Sequence, residues 1–253
     1  MQAQLYINAR QVVSSATSKT FTCKELTEQI ENTEGVGTSD WYDVELSYTT
    51  MTTENINAAL NCLASPQILS DGLKTLKMDN FGAESTGALS ETVLDYFLTK
   101  KDDIKTLSFS NQEAASLDTK QSLLKFAKKA IMQTPMLAYL DVDNNGFGSP
   151  ETSEMLRYSY SYPTDTLLTL SIAGADFSSQ TSCDNLATLV NTCDNLARLD
   201  ISNQQGTRTV TLDVTLATSA EAMDGTITVR DASDSSLITT MSTGRTLALT
   251  ITQ

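Results

Sequence analysis

The chain has 253 residues and no histidine, and its 31 acidic side chains outnumber the 17 basic ones to give a formal charge of -14. The missing imidazole excludes Ser-His-Asp triads, Cys-His pairs and HExxH zinc sites. An acidic surface repels phosphate groups, so nucleic acids and anionic membranes are poor candidate partners, and a basic protein partner is favoured.

The N-terminal segment, MQAQLYINARQVV, has no basic region followed by a long apolar stretch, which is the pattern of a secretory signal. No run approaches the 18 apolar residues that a membrane span requires. We therefore expect no membrane insertion and take the cytoplasm as the default location. A targeting segment outside this sequence, or another export route, remains the alternative.

Five short segments between residues 73 and 203 share one strand-like frame, L-x-x-L-x-Φ-x-N/G, in which Φ is an apolar residue. This alternation is typical of a half-buried strand. Two weaker copies lie earlier in the chain, at Trp41–Leu46 and Leu5–Ile7. The central leucines of the five segments recur with a period of about 30 residues; they are Leu76, Leu107, Leu140, Leu170 and Leu199.

Helical patterns separate these strands. Residues 55–63, 88–98 and 123–131 carry apolar side chains at i, i+4 spacing, and 182–190 shows a further apolar pattern. Ser149-Pro150-Glu151 has the residues that suit a first helical turn. A strand and a helix in each period of about 30 residues define one structural unit that buries its apolar face only by stacking on its neighbours.

These features resemble the leucine-rich-repeat family, in its long-repeat α/β form similar to ribonuclease inhibitor, over roughly residues 1–205. The resemblance implies an α/β solenoid with parallel strands on the concave side and helices on the convex side. The family's asparagine stands three residues after the last strand leucine, whereas Asn80, Asn111, Asn144 and Asn203 stand two residues after the matching position. This departure leaves the turn geometry open, and an ordinary sheet of βαβ units without curvature is the alternative.

Residues 206–253 form a different region, with threonine-rich segments that alternate strictly between polar and apolar residues and are separated by turn signals. We predict three or four antiparallel strands there. They would form a β-rich C-terminal cap on the solenoid, because exposed ends of repeat sheets need covering.

The cysteine and acidic residues are considered as candidate metal-binding or redox sites. Cys23, Cys62, Cys183 and Cys193 form no CxxC motif, and we predict them to be small core residues. The segment from Asp141 resembles the start of a calcium-binding EF-hand loop, but its twelfth position is Thr152 instead of a bidentate acid. We therefore expect no metal and no cofactor.

Strand side chains alternate, so the residues that flank each central leucine face the concave surface. We predict a non-enzymatic protein-binding module that uses this surface, with Tyr139 and Arg198 as its anchors. The alternatives are a structural subunit of a virion, appendage or surface layer that self-assembles through the C-terminal strand edge, and a carboxylate-based hydrolase. The candidate partner-binding residues are Lys77, Asp79, Ser108, Tyr139, Asp141, Asp143, Thr169, Ser171, Arg198 and Asp200.

Overall fold

The protein is α/β, with parallel strands and helices that alternate along the chain. It divides into two compact units, Met1–Leu137 and Ala138–Gln253. The predicted boundary between residues 205 and 206 stays a prediction. The computed structural model describes residues 4–8, 23–24, 28, 41–45, 52–65, 72–80, 87–112, 115–161, 166–193, 196, 198–201, 210–215, 226–230, 237–242 and 246–251.

The described residues of the first unit form four strands that pair in parallel and in sequence order. Three helices follow the second, third and fourth strands, and neighbouring helices contact one another. The elements are β1 Gln4–Asn8, β2 Trp41–Glu45, α1 Thr53–Leu63, β3 Leu73–Lys77, α2 Glu91–Lys100, β4 Thr106–Ser108 and α3 Leu117–Gln133.

The second unit begins with three parallel strands, again in sequence order and separated by helices. Four further strands follow, of which β8 pairs antiparallel with β11 and β9 pairs antiparallel with β10. The elements are β5 Tyr139–Asp141, α4 Ser149–Ser161, β6 Thr169–Ser171, α5 Gln180–Thr192, β7 Arg198–Asp200, β8 Val210–Thr215, β9 Thr226–Arg230, β10 Leu237–Ser242 and β11 Thr246–Ile251.

Most helices begin where a hydroxyl side chain satisfies a backbone N–H of the first turn. Thr52, Ser90, Ser116 and Ser179 each accept a hydrogen bond from the N–H three residues later. Such caps stabilise a helix start by about 1 kcal/mol.

The core lies between the strands and the helices. The central leucines are almost fully buried, at 0–3% exposure. In the first unit the Phe126 ring of α3 lies 6.1 Å from the Phe97 ring of α2 and 5.7 Å from the ring of Phe109, which follows β4. The predicted parallel α/β arrangement is confirmed, because the frame strands of each unit pair in parallel and in sequence order.

The lysine-rich face of α3 pairs with the acidic face of α2. Lys125 Nζ lies 2.6 Å from Glu91 Oε1, and Lys129 Nζ lies 2.5 Å from Asp95 Oδ1. The hydrogen bond from Lys125 lowers the pKa of Glu91. These lysines therefore neutralise acids of the adjacent helix, which favours a structural role over anion binding.

Two cysteines correct the prediction that all four are simple core residues. Cys23 and Cys62 form a disulfide, with Cα atoms 5.2 Å apart. Cys62 lies on the buried face of α1, as a core residue would, but its sulfur is bonded across 39 residues of sequence. Within the described part of the chain, no helix has the length and apolar character needed to cross a membrane.

Candidate binding face of the parallel strands

The strands of the second unit place the predicted site residues in two cross-strand rows. Leu140, Leu170 and Leu199 pair in register and are buried, so the residues on either side of them turn to the opposite face of the sheet. The first row consists of Tyr139, Thr169 and Arg198, and the second of Asp141, Ser171 and Asp200.

The first unit repeats this arrangement with different chemistry. Thr75 pairs with Thr106, and Lys77 pairs with Ser108, on either side of the buried Leu76–Leu107 pair. Lys77 is exposed, whereas Ser108 is only 2% exposed. The predicted residues Lys77, Asp79 and Ser108 therefore belong to this unit, and the other seven belong to the second.

An aspartate after a strand bonds to the next strand along the sheet in both units. Asp79 Oδ1 accepts from the Ser108 hydroxyl at 2.6 Å and from the Ser110 N–H at 2.7 Å. Asp143 accepts from the Ser171 hydroxyl at 2.8 Å and, through its other oxygen, from the Ala173 N–H at 2.6 Å. We call this arrangement the aspartate clamp. It uses the polar atoms of four predicted site residues to join adjacent strands.

The N/G position of four frame copies has a left-handed backbone, and in two of them this residue directly follows a clamp aspartate. Asn80, Asn111 and Asn144 have φ of 58°, 59° and 51°, and Gly174 has φ of 71°. Asparagine and glycine tolerate this conformation better than other residues. The N/G position of the frame therefore marks the turn out of these strands. Asn203, the fifth member, lies outside the described residues.

Two carboxylates of the second unit, Asp141 and Asp200, act electrostatically on a third, Asp143. Asp141 Oδ1 accepts a 3.0 Å hydrogen bond from the Asp143 backbone N–H. Burial, followed by the negative charges of Asp141 and Asp200, raises the pKa of Asp143 to about 7, although its bonds from Ser171 and Ala173 oppose the rise. The cluster is therefore a site of unfavourable negative charge, which a cation would relieve.

The EF-hand-like segment takes a different course from a calcium loop. Gly146 has a φ of 62°, but Thr152 is buried in the first turns of α4. The carboxylate of Asp143 is bonded to β6 and its neighbour. Among the described residues, no group of three metal-binding side chains is placed to hold an ion.

The remaining predicted residues are half-buried wherever the structure describes their side chains. Tyr139, Asp141, Thr169 and Asp200 are half-buried, and Arg198 is placed at the start of β7 by its backbone alone, because its side chain lies outside the described atoms. The sequence interpretation did not predict the hydrogen bonds from the backbone N–H groups of Ser110 and Ala173 to the clamp aspartates. The recurring Asp-Asn dipeptides at 79–80 and 143–144 were the available signal.

No protein-family model matches the chain, and a search of curated proteins found no similar sequence.

Proposed function

We propose that the chain is a non-enzymatic protein-binding module and that the polar strand face of the second unit recognises a basic segment of a protein partner. The observation that carries this proposal is the cluster of Asp141, Asp143 and Asp200, in which burial of Asp143 and then the negative charges of its two neighbours raise the pKa of Asp143 to about 7. A lysine or arginine side chain placed there gains attraction from all three groups.

The rest of the face has the composition of a protein interface. Tyr139 supplies an aromatic side chain on the same strand as Asp141, and Thr169 lies beside it in the next strand. Tyrosine and arginine are over-represented among residues that dominate binding energy. A net charge of -14 would also speed the approach of a basic partner at low salt.

Catalysis by carboxylates is the weaker interpretation of the same cluster. A general acid needs a carboxyl oxygen that is free to reach a substrate. Asp143 has one oxygen bonded to Ser171 and the other bonded to Ala173. This geometry favours a fixed electrostatic role over proton transfer, and we propose that the chain is not an enzyme.

We also propose that the strand–helix segments belong to the leucine-rich-repeat class, with strands on a concave side and helices on a convex side, and that strands β8–β11 act as a C-terminal cap. The support is that the aspartate clamp and the left-handed residue recur at equivalent frame positions. Contacts of β8 with α5 and of β9 with β7 support the capping role.

The binding proposal is tested by alanine substitution at Tyr139, Arg198 and Asp200, with affinity measured by calorimetry for a partner captured from source lysate. Each change should weaken binding by at least about fivefold, the effect of losing roughly 1 kcal/mol at an anchor. Lys125→Ala and Lys128→Ala on α3 are the controls and should leave affinity unchanged. Loss of binding in the lysine variants alone would contradict the proposal and place the partner on the helical side.

The alternative function is that of a structural subunit. It is favoured by the C-terminal strands, because each of β8–β11 has one strand partner within the described residues and so presents an edge that another chain could extend. Size-exclusion chromatography with light scattering separates the two functions. A monomer across the micromolar range supports the binding module, whereas concentration-dependent closed rings or polymers support the subunit.

A further inference from the structure

The disulfide between Cys23 and Cys62 joins two surroundings of opposite character. Cys62 is 1% exposed and lies on α1 beside Leu63 and Leu60, both fully buried. Cys23 is exposed, and so are Lys24 and Glu28, which form an i,i+4 ion pair at 3.6 Å. The bridge therefore attaches exposed, hydrophilic residues to the core. Apolar packing of Lys24 and Glu28 contributes little to that attachment, because both side chains are charged and exposed.

The two ends of the bridge differ in how easily a reducing thiol can reach them. Thiol–disulfide exchange requires a thiolate to reach one of the two sulfurs, and exchange slows as that access is lost. Cys62 lies within the core of the first unit, but the exposed Cys23 end can be approached, so reducing surroundings would open the bridge. The closed loop also contains all of β2, so the bridge ties together elements that are distant in sequence.

We propose that Cys23–Cys62 is a structural disulfide and that the protein, whose bridge has one exposed end, folds and resides in an oxidising compartment, outside the reducing cytosol. Structural disulfides persist in secreted, periplasmic and other oxidising environments and are rare where glutathione and thioredoxin keep thiols reduced. This inference is independent of the binding proposal. It replaces the cytoplasm, which the sequence suggested only as a default location.

The chemistry requires an oxidant, which we assign to the disulfide of a protein thiol oxidase. One cysteine thiolate of this chain attacks that disulfide, releases one oxidase thiolate and forms a mixed disulfide. The second cysteine then attacks the chain's own sulfur in the mixed disulfide and releases the second oxidase thiolate. The two protons lost from Cys23 and Cys62 end on the two oxidase thiols, and two electrons reduce the oxidase.

Cys193 provides an internal comparison. It is half-buried at the end of α5 and keeps its thiol, which donates a weak hydrogen bond to the Ser159 carbonyl at 3.8 Å. A protein that had been oxidised indiscriminately after cell lysis would lose this thiol as well. Specific oxidation should leave it available to an alkylating reagent.

The test traps thiols in the cells that naturally make the protein, by acid quenching followed by N-ethylmaleimide in denaturant, before digestion without reductant. Mass spectrometry should find Cys23 and Cys62 in one linked peptide pair in most molecules, with maleimide on Cys193. Fractionation of the same cells should place the protein outside the cytosolic fraction. Maleimide on both Cys23 and Cys62 in most molecules, a different pairing, or a cytosolic location would overturn the proposal.

Discussion

The carboxylate of Asp143 accepts a hydrogen bond of 2.8 Å from the hydroxyl of Ser171, which lies on the neighbouring strand. The two residues are 28 positions apart, close to one period of the strand frame. The same kind of bond joins Asp79 to Ser108 in the first unit. The clamp thus joins neighbouring strands in both units, but in the second unit it also holds the largely buried carboxylate of Asp143 near two other acids.

The first prediction concerns pH. The pKa of Asp143 is about 7 in the folded state and near 3.8 when unfolded, so the folded protein holds a proton that the unfolded chain releases between these values. The stability due to this proton is complete below about pH 4 and is lost as pH rises to 7. The free energy of unfolding should fall by up to about 1.4 kcal/mol per pH unit in that window.

Urea denaturation of the wild type and Asp143→Asn between pH 4 and pH 8 measures this contribution. The stability difference between the two proteins should move in favour of the variant as pH rises, because asparagine has no proton to lose. Asp102→Asn, at an exposed turn, is the control and should show no such trend. Parallel curves for the wild type and Asp143→Asn would contradict the assignment.

The second prediction concerns Gly174. Its φ of 71° disfavours any side chain, and a Cβ would lie 2.5 Å from Asn144 Oδ1 and 3.3 Å from Asn144 Cα. Gly174→Ala should therefore reduce the free energy of unfolding by about 2–3 kcal/mol. Gly87→Ala is the matched control, because Gly87 also has a positive φ but has no atom within 4 Å of the added methyl group. Thermal unfolding should show a smaller loss of stability for Gly87→Ala than for Gly174→Ala. Equal losses would show that the contact with Asn144 does not destabilise the Gly174 variant.

Part of this architecture follows from the sequence. The period of the central leucines predicts parallel strands in chain order. The alternation of strand side chains predicts the polar face, because a buried Leu140 forces Tyr139 and Asp141 to the other side of the sheet. The clamp does not follow, since its bonds reach about 30 residues ahead and depend on strand register. The Cys23–Cys62 pairing also depends on tertiary proximity, which cysteine spacing alone does not encode.

The third prediction concerns the left-handed asparagines. Asn111 has a φ of 59° and is exposed, and its side chain donates a 3.0 Å hydrogen bond to the Ser110 hydroxyl. Asn111→Gly should change the free energy of unfolding by less than about 1 kcal/mol, whereas Asn111→Val should lose about 1–2 kcal/mol, because a β-branched residue resists this backbone. Chemical denaturation measures both. A valine variant as stable as the glycine variant would show that the left-handed backbone does not determine which residue is tolerated at this frame position.

The fourth prediction concerns the central leucines. Leu107 and Leu140 are fully buried, one in each unit, so Leu107→Ala and Leu140→Ala should each cost about 2–5 kcal/mol. Leu168→Ala is the control, because Leu168 is 47% exposed and leaves no closed cavity. Unchanged melting temperatures for both core variants would mean that the strand frame is assigned to the wrong residues.

The fifth prediction concerns the stability that the disulfide supplies. A bridge between residues 39 positions apart restricts the unfolded chain, which corresponds to about 3–5 kcal/mol for a loop of this size. The double variant Cys23→Ser, Cys62→Ser should lose this amount in urea denaturation, and dithiothreitol should then have no further effect. Cys193→Ser is the control, since it should keep both the stability and the sensitivity to reductant. If reductant destabilises the double variant as strongly as the wild type, the stabilising bridge involves other cysteines.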